Sequence, residues 1–273
     1  AHMRCLQTAA PRGNRGVLRD LRRWCFVAWP VRLAGREADR AVVARARDFL
    51  LAVQSDEGEG YERNEDPHYG GVGYGGDERP DLSNTQMAIE AVVQAGTDPS
   101  HPFFDKVEVF LARHQNLSEA QALSWPRPGG GTLVTGNDGG STYMPGNSPA
   151  GEDRVGDGLY QARSYGSMTF ALAKSYMLCG RAPDDVRLAA AIRWLAANFT
   201  VDTNPGFAKP AYAMQGLHYY YLTMARTLRR LPADGFRTAE GRPIAWRETL
   251  TRHLLDAQRV DGSWINEGSE RWY

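Results

Sequence analysis

The residues best suited to chemistry fall in three short polar runs, each at a predicted helix start. They are Arg79-Pro80-Asp81-Leu82-Ser83-Asn84-Thr85-Gln86, Arg163-Ser164-Tyr165-Gly166-Ser167-Met168-Thr169 and Gly216-Leu217-His218-Tyr219-Tyr220-Tyr221. Asp81, Ser83, Asn84 and Thr85 are types that cap a helix by accepting a hydrogen bond from a free backbone N–H. Pro80 suits the position just before such a start. Asp81 is the leading candidate for an acid. Asp138, in the turn-like Asn137-Asp138-Gly139-Gly140, is a second if it folds inward. Helix starts gathered at one end favour anions, and Arg79, Arg163 and Lys209 lie in the loops that should frame them. Together they suit a diphosphate or carboxylate head with an isoprenoid or other apolar tail. The alternative pairs the two arginines with Asp81 and Asp138 to pin loops. Successive helix positions differ by about 100°, so one or two of Tyr219, Tyr220 and Tyr221 can face a cavity while the others pack. Those that face it offer π-faces to a cation or an apolar ligand. Tyr74, Ser83, Asn84, Tyr165, Ser167 and His218 complete the expected lining. His68 reads as a loop hydrogen-bonder and Cys179 as a small buried hydrophobe.

The elements that must carry these residues are helices, because helical periodicity dominates and extended alternation is nearly absent. Amphipathic helices are expected over 38–54, 102–115, 184–199 and 243–258, with one solvated face each. Helices apolar nearly all round are expected over 83–95, 165–178 and 217–231. Gly96 and Gly180 end the first two of these. Residues 116–163 read as a long Gly/Pro-rich connection without helical period, a length that is usually functional or disordered. The alternation of amphipathic helix, Gly-rich loop and apolar helix is an internal repeat of helical hairpins. It predicts an all-α fold, an inner ring of parallel helices wrapped by an outer one, with the inner starts and Gly-rich loops at one end.

Composition narrows the function classes. The chain has 273 residues, enough for one large domain or two small ones. Its 32 Lys plus Arg balance 32 Asp plus Glu, so net charge gives no argument for nucleic acid. Three widely spaced cysteines, Cys5, Cys25 and Cys179, exclude a disulfide framework or a cysteine-based zinc module. No stretch reaches the roughly 20 apolar residues of a membrane span. Residues 1–38 form an arginine-rich N-terminal arm that begins with a tag-like Ala1-His2-Met3. Its apolar patch from Trp24 to Trp29 is broken too early by Pro30 and Arg32 for an export signal. The arm reads as a surface helix or loose amphipathic segment, with membrane-surface contact as the alternative. The compartment stays open between cytoplasmic and membrane-peripheral.

Gln258-Arg259-Val260-Asp261-Gly262-Ser263-Trp264 fits the Gln-x-x-Asp-Gly-x-Trp repeat of the squalene and oxidosqualene cyclases and the protein prenyltransferase β-subunits. Gly71-Val72-Gly73-Tyr74 is a degenerate second copy. Together with the three polar runs, this resembles a bacterial group of squalene-cyclase or prenyltransferase repeat proteins across about residues 39–273. The resemblance implies an α/α toroid, complete or partial, and a terpenoid cyclase-like or prenyltransferase-like activity on an isoprenoid in a central cavity. With the ring partial, a second copy would close it. The resemblance also places Trp264 and Trp272 against the ends of repeats. The sequence departs from the chemistry of that family. Asp81-Leu82-Ser83-Asn84-Thr85 is similar to the Asp-x-Asp-Asp-Thr segment of the cyclases, but Ser83 stands where the proton-donating aspartate would be. A serine hydroxyl cannot protonate an alkene or epoxide. Aligned with the zinc ligands of the prenyltransferases are Tyr165, Ser167 and Leu222, so no metal and no cofactor is expected. Non-standard chemistry with Asp81 as the acid is one expectation. A non-catalytic protein that binds a lipid or a protein partner at the same end is the other.

Overall fold

The computed structural model describes residues 39–74 and 79–266. Helix α1 (Arg40–Ala52) leads through a 3₁₀ turn (Glu57–Glu59) to α2 (Leu82–Gln94) and α3 (Pro102–His114). Strands β1 (Ser124–Pro126), β2 (Thr132–Val134), β3 (Glu152–Gly156) and β4 (Leu159–Ala162) follow. The chain continues through α4 (Gly166–Leu178), α5 (Val186–Ala197), the single turn α6 (Pro210–Ala213), α7 (Leu217–Leu228) and α8 (Trp246–Asp256).

The sheet overturns the expected all-α toroid. Its order is β1-β2-β4-β3, with β2 and β4 parallel and the other pairs antiparallel. The protein is therefore a mixed α/β fold. All four strands lie in the stretch expected as a loop. They left no period-two signal because they are three to five residues long and mostly solvated; β3 exposes four of its five residues. Without a buried face, nothing forces apolar residues into alternation.

The helices follow from local chemistry. Asp81 caps α2, its Oδ1 accepting from the Asn84 N–H at 2.8 Å. Pro102 opens α3, where the His101 ring accepts from the Phe103 N–H, Asp105 sits in the first turn and Arg113 and His114 in the last. Helix α4 is buried from Gly166 through Tyr176, so it needs no polar stripe. It packs against α2, α5 and α7 at the centre of the molecule. Leu82, Ile89, Val92, Phe103, Phe170, Tyr176, Tyr220 and Met224 form the core around it. Burying each such side chain contributes about 1.5–3 kcal/mol against chain entropy.

Helices α2, α4 and α7 run in the same direction. Ser83 meets Tyr219 near two of the starts, and seven residues on, Glu90 meets Arg226 near the ends, both at a separation of 136. The three starts therefore gather at one end of the molecule. Gly206 lets the loop before α6 reach that end: at φ +105° its Cα lies so close to Ser164 that a Cβ would come within 2.1 Å of the Ser164 carbonyl oxygen. Trp264 is 44 % exposed and donates from Nε1 to the Leu254 carbonyl of the preceding helix. Trp272 and the N-terminal arm lie outside the described residues.

Candidate functional site

The starts of α2, α4 and α7 bring together residues from all three polar runs. Asp81 is 2 % exposed. Its Oδ1 takes the Asn84 N–H, and its Oδ2 takes the Asn84 side-chain Nδ2–H at 2.6 Å. The phenol of Tyr143, from the loop before the sheet closes, bonds to both Asp81 and Tyr74. Across the gap between helices, Ser83 Oγ and Tyr219 OH lie 2.9 Å apart, and Gln86 Nε2 donates to the same phenol at 3.3 Å. Tyr165 is buried beside this group; its electrostatic neighbours are Tyr219, Tyr143 and Asp81. Burial first, then those neighbours, holds the Tyr165 phenol well above its ordinary ionisation range. Burial, with the Asp81 carboxylate next, does the same for Tyr143. Both phenols stay protonated at any ordinary pH.

The end is rich in acceptors and short of free donors. The Leu82 N–H donates to Tyr143 O, the Tyr165 N–H to Ser141 O, the Gly166 N–H to Pro205 O and the Ser167 N–H to Asn204 Oδ1. At the starts of α2 and α4 these bonds consume much of the expected cradle of free N–H groups for an anion. Two buried acceptors lack any donor: Asn84 Oδ1 and Gln86 Oε1, on residues 1 % and 2 % exposed. Each such atom costs about 1–3 kcal/mol, and in a folded protein it calls for an explanation.

The remaining expected residues are dispersed. Arg163 pairs with Asp153 of β3 at 2.8 Å and donates from Nε to Gly206 O, so it pins the sheet to the loop before α6. Arg79 is exposed; its charge acts on His68, whose ring burial already holds below the ordinary value. Lys209 is exposed, 5.4 Å from the centre of the Tyr212 ring. Asp138 accepts from the Gly140 N–H and from Ser164 Oγ. Asp138 is exposed as a residue, but its carboxyl reaches the buried Ser164, which also holds Asn116, and desolvation there raises that carboxyl above the usual range. Ser167 accepts from Asn204 Nδ2, so Asn204 grips the start of α4 at two points. Tyr220 and Tyr221 turn outward from Tyr219 and donate to the carbonyls of Thr200 and Val201. His218 lies beside Tyr221, with ring centres 6.1 Å apart.

Sequence reasoning missed Tyr143, gave Gln86 no role within its polar run, and missed the opposite end of the same helices. There Glu90 of α2 meets Lys174 of α4 at 2.6 Å, Arg226 of α7 at 3.2 Å and Arg230 at 3.9 Å. Burial pushes Lys174 down to about 8. Burial alone would raise Glu90, but Lys174 and the two arginines bring it below its ordinary value. The signal was present: one charge of each sign stood in two helices otherwise read as apolar all round.

The arrangement leaves two buried acceptors at this end without a donor. It is poorly set for acid catalysis, because both oxygens of Asp81 already accept hydrogen bonds. Among the described residues, no group of three or more His, Cys, Asp or Glu could hold a metal ion. No family model, no curated protein and no solved structure matches the chain.

Proposed function

We propose that the protein binds a small molecule, without transforming it, at the gathered starts of α2, α4 and α7. The observation that supports this reading is the pair of buried, donorless oxygens, Asn84 Oδ1 and Gln86 Oε1, on a helix start where Tyr74, Tyr143, Tyr165 and Tyr219 also meet. A fold that only needed a helix cap would gain by replacing them with apolar groups. The tyrosine rings supply an apolar, polarizable wall for the ligand's body, and the phenolic oxygens fix its orientation.

Native mass spectrometry of the purified full chain should show a bound small molecule that denaturation releases. Prenyl diphosphates and squalene should be recovered unchanged after incubation. The cyclase-like alternative keeps Asp81 as the acid. Turnover of either substrate that disappears in Asp81→Asn would replace the binding reading with that one.

A further inference from the structure

The loop after α8 repeats a device that seats a helix at two other places in the chain. After α1, the Ser55 N–H donates to Gly71 O at 2.9 Å and the Gly70 N–H to Ser55 O at 2.7 Å. After α3, Asn116 is joined to Gly140 and Gly139 in the same way, at 2.9 and 2.7 Å. After α8, Arg259 is joined to Ser263 and Gly262, both at 2.9 Å. In each copy the glutamine just before donates from Nε2 to the glycine carbonyl: Gln54 to Gly70, Gln115 to Gly139 and Gln258 to Gly262. The three glycines share one left-handed conformation, at φ +83°, +83° and +81°.

The first two copies are occupied. Gln54 donates a second bond to Phe103 O in the first turn of α3, and Gln115 donates one to Arg187 O in the first turn of α5. Gly70 and Gly139 lie against the next turn of those helices. A Cβ there would come within 1.9 Å of the Lys106 carbonyl and 2.8 Å of the Ala190 carbonyl. Both glutamines are buried. In the third copy, no helix start fills the seat among the described residues. Gln258 is exposed, its amide meets the Gly262 carbonyl alone, and a Cβ on Gly262 would meet nothing but Gln258.

We infer that this third seat takes the first two turns of α1 from a second copy of the chain, in a head-to-tail contact. Val42 and Arg45 stand twelve and nine residues before Gln54, as Phe103 and Lys106 stand before Gln115. These positions are open in α1: Arg45 is exposed and Val42 half-buried, whereas the seated Phe103 is 1 % exposed. The charges also match. Lys106 pairs with Asp56 at 2.8 Å and Glu57 at 2.7 Å, two and three residues past Gln54. Arg45 carries the same sign as Lys106, and the exposed Asp261 stands three residues past Gln258. Ser263 replaces Gly71 and Gly140, which admit the rings of Phe110 and Trp194 from the third turn of their helices, so this seat ends at the second turn.

Sedimentation velocity on the full chain, from about 1 to about 200 μM, tests the contact. The mean mass should rise with concentration beyond that of a dimer, because a head-to-tail contact does not close on two copies. Arg45→Glu sets a carboxylate against Asp261, and Gln258→Ala removes the amide of the seat. Each should raise the dissociation constant about tenfold. Both residues are exposed, so circular dichroism should stay unchanged. Should Gln258→Ala fail to fold, Asp261→Asn replaces it, since it keeps an oxygen for the Ser263 N–H. Mixed in equal amounts, the two variants retain one intact contact per pair, the seat of one and α1 of the other. The mixture should form one-to-one dimers and nothing larger. A chain that stays monomeric at every concentration leaves the seat to residues 1–38 or to a different protein and overturns the inference. Association that neither variant weakens overturns it, and so does a mixture no larger than its separate variants.

Discussion

The two ends of the α2–α4–α7 layer are built from the same three helices and meet opposite demands. Each complements the helix dipole: a carboxylate, Asp81, lies at the positive ends, while Lys174, Arg226 and Arg230 lie at the negative ones. They differ in how completely their polar groups are paired. At the C-terminal end Lys174, Arg226 and Arg230 all meet Glu90, and the buried amine of Lys174, 1 % exposed, reaches its carboxylate at 2.6 Å. At the N-terminal end, Asn84 and Gln86 are buried as deeply, yet each keeps an oxygen without a donor. Burial alone therefore does not mark a site. Other buried side-chain atoms, His114 Nε2 and Thr97 Oγ1 among them, also lack a partner, so the contrast rests on two such oxygens falling within three residues at one helix start.

The largest effect expected is at the closed end. Glu90→Gln leaves Lys174 buried between two arginines with no counter-charge. It should destabilise the protein by about 3–5 kcal/mol in urea unfolding. A cost below about 1 kcal/mol would mean that the ion cluster does not hold this end together, and the contrast would fail. Lys174→Met should cost less, since Glu90 keeps both arginines.

The open end rests on a buried imidazole, and its response to acid is the second test. His114 ends α3, and its carbonyl accepts from the Thr142 N–H and the Ser141 hydroxyl in the segment that leads to Tyr143. Its ring is fully buried, and burial depresses its ionisation from 6.5 to about 3. The unfolded chain binds that proton below about pH 6.5 and the folded chain does not. Stability from this residue is thus complete above pH 6.5 and falls as pH drops toward 3, by roughly 3–5 kcal/mol in all. Glu90, also lowered on folding, adds to the loss only below its ordinary 4.5. His114→Phe should flatten the decline between pH 6.5 and 4.5, measured as the urea midpoint at several pH values.

Two smaller effects separate cap from site. Asp81→Ala removes the cap of α2 and should cost about 1–2 kcal/mol, while Asp81→Asn should retain most of it. Gln86→Met removes one orphan oxygen, so it should be neutral or stabilising by up to about 1 kcal/mol while ligand binding weakens. A loss of stability instead would show that Gln86 serves the fold, and the two ends would then be alike.

Much of the helical layer was legible because its causes are local. Asp81 before an apolar run, Pro102 at a first turn and Gly96 and Gly180 past two ends each act within a few residues of where they stand. The tyrosine triplet was legible in part: 100° per residue forced a division of roles, which fell as Tyr219 inward with Tyr220 and Tyr221 packing. The sheet was not legible, since its strands pair across turns of Gly and Pro and bury almost nothing that patterns a sequence. Nor was the fate of Arg163. Asp81 and Asp138 were the partners expected for the two arginines, and β3 pairing beside β4 instead sets Asp153 within reach of Arg163.

The sequence by itself determined where α2, α4 and α7 start, that their polar starts gather at one end and that Ser83 cannot donate a proton to an alkene. The tertiary structure decided what that end asks of a ligand. Donors and acceptors cancel between segments far apart in the chain, Ser83 with Tyr219 and Ser167 with Asn204. After that cancellation the oxygens of Asn84 and Gln86 are left unpaired on α2.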